Sequence, residues 1–159
     1  MAWDMKTEGL EELSGILGRL ESEAELVAAG ALYEGADEVA DAMSAAVDSI
    51  RTATFHGKRK SRLPSPEEKE ALRGKIGIAR FRKNGSEVDT LIGFTKGEGY
   101  VMLGKRKTAV RLIARSINSG TSYMGKQPVF RRAAKKAKGA AEQRMIAKAE
   151  TMLNEIIGS

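Results

Sequence analysis

The sequence predicts an α+β fold in which a small antiparallel sheet of two to four strands packs against a long N-terminal helix and a long C-terminal helix. Apolar residues recur every three to four positions over the first fifty residues and again from about 128 to 157, as in helices that bury one face. Between these regions, apolar and polar residues alternate around Asn84-Gly85, which is typical of a β-hairpin. The chain has 159 residues, 42% of them apolar, so we predict a single domain over residues 1–159.

The N-terminal helical region is predicted to divide near Glu21. Four leucines recur at helical spacing within residues 8–21, but three glycines lie among them, and each costs about 1 kcal/mol relative to alanine in a helix interior. Residues 1–21 are therefore a candidate mobile N-terminal helix. A longer helix with many alanines is predicted from 21 to about 52, and its small residues favour close packing on the C-terminal helix.

Residues 53–66 break the periodicity and predict a flexible basic loop. Flexible cations can bind phosphate groups without regard to base sequence, so this loop is a candidate DNA or channel contact, and a merely solvated loop is the alternative. The single histidine, His56, is too isolated in the sequence to predict a metal or acid–base site. The candidate contact residues are Lys58, Arg59, Lys60 and Arg62.

Ser65 and Pro66 predict the start of a short helix that reaches residue 73. Two antiparallel strands at about 76–83 and 86–95 are expected to follow, joined at Asn84-Gly85, with a third strand over 100–103.

Residues 99–105 contain two glycines and a lysine at the spacing of a phosphate-binding P-loop. The next residue is Arg106, where the motif has the Ser or Thr that binds magnesium, and the four residues between the glycines are apolar. The sequence therefore favours a strand entering a basic turn over a nucleotide site. A helix is predicted from 107 to 118, a positive-φ turn at Gly120, and a last helix from Pro128 to about Ile157.

Charge is segregated along the chain, whose total net charge is +6. Residues 1–50 contain 12 Asp/Glu and 2 Lys/Arg, whereas residues 51–159 contain 9 Asp/Glu and 25 Lys/Arg. The acidic and basic parts could pair within one subunit or head to tail between subunits, and the basic part could also face nucleic acid.

The same composition argues against an enzyme. The chain has no cysteine, so disulfides and cysteine-containing zinc sites are excluded, and no catalytic triad or paired carboxylates stand out. No stretch approaches 18 apolar residues and the first residues do not resemble a signal peptide, so we expect a soluble protein with no membrane partner. No cofactor, metal or small-molecule substrate is predicted.

The segment from Gly120 to Ala133 resembles a motif of the minor tail, or tail-completion, proteins of long-tailed bacteriophages, which join the head to the tail. The order of elements along the chain is similar as well. The matching residues are Gly120, Thr121, Ser122, Met124, Pro128, Phe130, Arg131 and Ala133.

The resemblance implies a virion structural protein that is made in the host cytoplasm and ends in the neck or tail of the particle. Its implied partners are copies of itself, arranged in a ring, and neighbouring neck or tail proteins, with transient DNA contact in the channel. We expect structural roles for the motif: Gly120 forms the turn, Thr121 and Ser122 form hydrogen bonds, Pro128 starts the helix and Phe130 anchors it in the core.

A small basic module that binds nucleic acid nonspecifically is the alternative function. The 25 Lys/Arg after residue 50 favour it, but only 5% of residues are aromatic, which leaves few rings on which bases could stack. Phosphate binding weakens steeply with salt, and a ring held partly by apolar contacts does not, so salt dependence separates the two functions.

Overall fold

A computed structural model describes residues 8–55, 58, 61–85, 87–94 and 99–158, with the backbone alone over residues 8–12. It has a long helix near each end and three two-stranded antiparallel ladders between them, so the predicted α+β class is confirmed, although the strands form three separate pairs. The elements are α1 (Glu8–Ala46), α2 (Pro66–Glu70), β1 (Gly77–Ile78), β2 (Arg82–Asn84), β3 (Glu87–Asp89), β4 (Ile92–Gly93), β5 (Tyr100–Leu103), β6 (Arg106–Ala109), α3 (Val110–Ser119) and α4 (Val129–Gly158).

The N-terminal region is one helix of 39 residues, and the predicted division near Glu21 is wrong. The apolar positions keep the same spacing on both sides of Glu21, so one helix holds them on one face. The glycines at 15 and 18 do not interrupt it. A short 3-10 turn, Val47–Ser49, ends the region before residue 52.

Helices α1 and α4 pack antiparallel, as the pairing of their small and large residues shows. Gly30 lies against Met152, and Gly35 lies against Met145. At the edge of the same contact, Arg144 forms ion pairs with Glu34 and Glu38, at 3.9 and 3.0 Å. The predicted packing of the alanine-rich α1 on the C-terminal helix is therefore confirmed.

The predicted hairpin is present, with its turn one residue later than expected. Asn84 pairs with Glu87 and so belongs to the strand, and Gly85, which follows it, supplies the positive φ of 64°. Farther from the turn, Ile78 pairs with Ile92, which leaves three residues on the first side facing two on the second. This extra residue is a β-bulge between the β1–β4 and β2–β3 ladders.

The bulge is held against α1. The Phe81 backbone N–H donates a hydrogen bond to the Tyr33 hydroxyl at 2.9 Å, and the two rings meet edge to face with their centroids 6.1 Å apart. At the tip of the hairpin, Lys83 forms an ion pair with Glu25 of α1. These contacts attach the hairpin to the middle of α1, between Glu25 and Tyr33.

Strand β5 is the predicted third strand, and its partner β6 was not predicted. Leu103 pairs with Arg106 across a two-residue turn in which Gly104 has a φ of 60°. The glycine and lysine of the P-loop-like segment therefore form a hairpin turn, and α3 begins at Val110, three residues after the predicted start. The pairing of β6 with β5 keeps residues 106–109 in a strand, although the helical spacing of the residues that follow predicted a helix from 107.

The short helix α2 begins as predicted, with a capping box. The Glu68 backbone N–H donates to the Ser65 hydroxyl at 3.2 Å, and the Ser65 N–H donates to the Glu68 carboxylate at 2.7 Å. The helix ends at Glu70 and residues 71–74 form a turn, so it is shorter than predicted.

The main core lies at one end of the α1–α4 pair, around the buried face of α3. Val110 and Ile117 are fully buried there, and Phe94 meets Phe130 edge to face with ring centroids 4.7 Å apart. The other core residues are Ala40, Val47, Ile50, Leu72, Ile76, Ile113, Ala114 and Met124. Toward the N-terminus of α1, the molecule thins to two helices and the hairpin.

Candidate functional site

The candidate site is built on the connection between α3 and α4, residues 120–128, which contains most of the motif. Gly120 has a φ of 79°, as predicted, and its N–H donates to the Ser116 carbonyl at 2.9 Å to end α3. A Cβ at this position would lie 3.1 Å from the Lys126 backbone nitrogen. Both the backbone conformation and the close approach therefore require glycine.

Thr121 closes the connection onto itself. Its N–H donates to the Met124 carbonyl at 2.8 Å, and its hydroxyl accepts a hydrogen bond from the Met124 N–H at 3.0 Å. These bonds hold the Met124 side chain in the core. Ser122 is exposed and forms no hydrogen bond with the described residues, so the predicted bonding role applies to Thr121 alone.

Pro128 and Phe130 lie close to their predicted positions at the start of the last helix. Pro128 lies just before α4, and its carbonyl accepts the first helical bond, from the Arg132 N–H at 3.1 Å. Phe130 is buried in the core, as predicted. Arg131 acts here through its backbone: its N–H, one of the unsatisfied donors of the first turn, donates to Asn118 Oδ1 at 3.3 Å.

The basic loop is tied to this connection through Arg62. The Gly125 N–H donates to the Arg62 carbonyl at 2.7 Å, and the Arg62 guanidinium donates to the Thr121 carbonyl at 3.4 Å. Arg62 therefore joins two chain segments and is not a freely flexible cation. Lys58 is exposed, and Arg59, Lys60 and His56 lie outside the described residues.

Gln127 was missed by the sequence analysis. Its side chain is only 6% exposed, and its amide pairs with the backbone of Arg51 in both directions at 3.0 Å. Gln127 therefore joins the segment after α1 to the start of α4 as a neighbouring strand would. The only sign in the sequence was a polar residue directly before Pro128, which does not distinguish a buried amide from an exposed one.

A cleft of about 600 Å³ opens beside this amide pair, and we call it the cationic cleft. Four basic side chains from three segments line it, and no carboxylate of the described residues does. None of the four forms an ion pair within the described part of the chain. The lining consists of the basic Arg51, Lys126, Arg132 and Lys136, the polar Ser49 and Gln127, and Ala46, Pro128, Val129 and Ala133.

The first half of α4 therefore carries two basic surfaces. Arg132 and Lys136 face the cationic cleft, whereas Lys135 and Lys138 line a groove on the opposite flank of α4. Unpaired cations that converge on one cleft raise the local positive potential, so the cationic cleft suits a phosphate group or another anion.

The described residues contain no cluster of three or more acidic, histidine or cysteine side chains suited to a metal ion. Over the same residues, no helix combines the length and apolarity needed to cross a membrane. Comparison of the chain with protein-family models, with curated proteins and with solved structures finds no match.

Proposed function

We propose that this protein is a structural component of the neck or tail of a long-tailed bacteriophage, a tail-completion or head–tail joining subunit that assembles into a ring. The observation that carries the proposal is the segment from Gly120 to Ala133. Eight of its residues resemble the phage motif, and the segment that contains them joins α3 to α4 and bonds to Arg51 and Arg62 through Thr121, Gly125 and Gln127. A motif that fixes the fold in this way has a physical reason to recur in proteins of one architecture.

The proposed subunit works by presenting surfaces, without a cofactor. The acidic helix α1 and the basic surfaces of α4 face solvent on different parts of one molecule, which favours contacts between unlike surfaces of neighbouring copies. Contacts of that kind close into a ring when the rotation between copies permits.

The test uses a phage or prophage that carries the gene. We expect mass spectrometry to detect the protein in purified particles at a few copies per virion. Deletion of the gene should leave filled heads and separate tails in electron micrographs, and expression from a plasmid should restore joined particles. Infectious particles that lack the protein would exclude the proposal.

Nonspecific nucleic-acid binding remains the second candidate function, and the cationic cleft favours it. Replacement of Arg132 and Lys136 by alanine should weaken binding of a random-sequence DNA duplex at low salt. If each residue contacts one phosphate, the slope of log K against log salt should fall by about 2. Fluorescence anisotropy at several salt concentrations measures this slope.

The matched control replaces Arg80 and Lys148, which are exposed and lie outside the cationic cleft. It removes the same charge from other surfaces. If both double variants weaken binding equally, only the net charge matters and the cleft is not a phosphate site. Duplex binding that stays tight at physiological salt would favour the nucleic-acid module over the phage subunit.

A further inference from the structure

Helix α1 extends beyond its partner. Its contacts with α4 begin at the C-terminal end of α1 and reach back to Glu23 and Leu26. These two residues lie beside Glu155 and Ile156, close to the end of α4 at Gly158. The two helices run antiparallel and Glu23 lies beside Glu155, three residues before the last described residue of α4, so the start of α1 reaches beyond that end. At 1.5 Å per residue, the segment from Glu8 to Ser22 is a helical arm of about 22 Å.

The arm continues the apolar stripe that packs on α4. The spacing of four and three residues that places Val27 and Ala31 on this face also places Leu13, Leu17 and Leu20 on it. Val27 and Ala31 are 8% and 7% exposed, whereas Leu13 and Leu17 are 50% and 56% exposed. One stripe is therefore buried where α4 covers it and open where α4 ends.

The charge of the arm selects the kind of surface that can cover it. Residues 8–22 contain four glutamates and one arginine. Two arms side by side would bring like charges together, which disfavours a symmetric pairing of arm with arm. A partner surface needs an apolar floor for the leucines and positive charge at its rim.

The same chain presents such a surface in the groove on the other flank of α4 from the cationic cleft. This groove has a volume of about 420 Å³ and lies between α1, α4 and the hairpin. Its floor is apolar, and its rim has Lys135 and Lys138. The single acidic residue in the lining, Glu142, pairs with Lys138 at 3.6 Å, so the two lysines and this glutamate leave the rim with a net charge of +1. The floor includes Leu32, Val39, Ile92, Ala134, Ala141 and Met145.

We infer that the arm of one copy docks in this groove of a second copy, with Leu13 and Leu17 on the apolar floor and the glutamates of the arm near Lys135 and Lys138. This is an amphipathic helix binding in a groove. The two surfaces differ, so the contact leaves one arm and one groove free at the ends of any chain of copies, and it closes only in a ring. The inference rests on the proposed ring and names the surfaces that form it.

The absence of cysteine makes disulfide trapping a direct test. Leu17→Cys and Lys135→Cys variants of the full chain are mixed and oxidised, and we expect a disulfide-linked heterodimer. The double variant should give a ladder of linked multimers on a denaturing gel. In the matched control, Gln143→Cys replaces Lys135→Cys, because Gln143 is exposed on α4 and does not line the groove.

Linking between two Leu17→Cys copies, or equal linking to Gln143→Cys, would overturn the docking. So would an unlinked mixture, or a double variant that links only within one chain. A second comparison adds Leu13→Ser and Leu17→Ser to copies carrying a cysteine at residue 20 of the arm. Since Leu13 and Leu17 are about half exposed within one chain, the unfolding midpoint should change little, whereas the linked yield to Lys135→Cys should fall by roughly tenfold or more.

Light scattering of the unmodified protein in the same buffer separates this inference from the proposed function. If light scattering shows that the unmodified protein assembles, but the Leu17→Cys and Lys135→Cys variants do not link, the docking is overturned. A ring built through other surfaces then remains possible. Specific linkage in a protein that is absent from virions upholds the docking and excludes the phage function.

Discussion

Gln127 shows how one side chain can replace a strand. Arg51 pairs with no strand among the residues that the structure describes, and the Gln127 amide satisfies its N–H and its carbonyl together. An amide is the side chain that can both accept from an N–H and donate to a carbonyl in this geometry. The pair therefore holds one wall of the cationic cleft against the other.

Replacement of Gln127 by alanine should lower the free energy of unfolding by about 2 kcal/mol, because two hydrogen bonds are lost and their backbone partners stay shielded from water. Urea unfolding followed by far-UV circular dichroism measures the change. The other glutamine, Gln143, is exposed on α4, and its replacement by alanine should change stability by less than about 0.5 kcal/mol. Equal effects at the two positions would contradict the role given to the Gln127 amide.

Gly120 and Gly125 provide a second comparison within one connection. Gly120→Ala must place a side chain at positive φ and against the Lys126 backbone, so it should cost about 1–3 kcal/mol. A Cβ at Gly125 would meet only ordinary contacts, 3.6 Å or more from Arg62. Gly125→Ala should therefore be close to neutral. The unfolding midpoints of the two variants measure the difference. Equal losses for both would mean that the connection needs flexibility in general, rather than a glycine at residue 120.

At the scale of elements, the close approach of α1 and α4 depends on glycine. A Cβ at Gly35 would overlap Cγ of Met145 and lie 3.2 Å from the Ala141 carbonyl oxygen. At Gly30 only the flexible end of Met152 is near, so that site can adjust more easily. Gly35 thus sets the distance between the two long helices more firmly than Gly30.

Gly35→Ala should therefore destabilise the protein by about 1–3 kcal/mol through overpacking. Gly18→Ala, in the same helix, meets nothing within 4 Å and should stabilise α1 by about 1 kcal/mol through helix propensity. Thermal unfolding of both variants gives the comparison. A stabilising Gly35→Ala would mean that the helices separate readily at this point.

The elements that the sequence predicted best were those with long or distinctive local patterns. The Asn84-Gly85 hairpin, the helix start at Ser65, the C-terminal end of α3 and both ends of α4 each depend on residues close in the chain. Strand β6 was missed because its partner β5 and the turn at Gly104 decide its structure, while the helical spacing after it suggested an earlier start of α3. The site was harder to predict, because Arg51 and Gln127 are 76 residues apart and meet only in the folded chain.

At the scale of the whole molecule, part of the segregated charge is paired within the chain. Glu25 of α1 pairs with the hairpin, and Glu34 and Glu38 of α1 pair with α4. Asp48, in the turn after α1, pairs with Arg73 in the turn after α2. The Arg73 guanidinium bonds to Glu70 and to Asp48, and these hydrogen bonds raise its pKa. The arm and the cationic cleft keep charge that these pairs do not neutralise.

Because these pairs are exposed, each should contribute between about 0 and 1 kcal/mol. We therefore expect the free energy of unfolding to fall by only about 1 kcal/mol between low and high sodium chloride. Urea titrations at the two salt concentrations measure this. A much larger loss would mean that electrostatic pairing, rather than the core around α3, holds the long helices together.

The acidic arm and the cationic cleft lie at opposite ends of α1, about 40 Å apart at 1.5 Å per residue. A molecule with separated charges of this kind has an electric dipole along its long axis. Two such molecules that diffuse together turn so that the negative end of one meets the positive end of the other before any apolar surfaces touch. Salt should therefore slow the encounter of two copies more than it loosens the finished contact, so the rate of assembly and its final extent need not respond to salt in the same way.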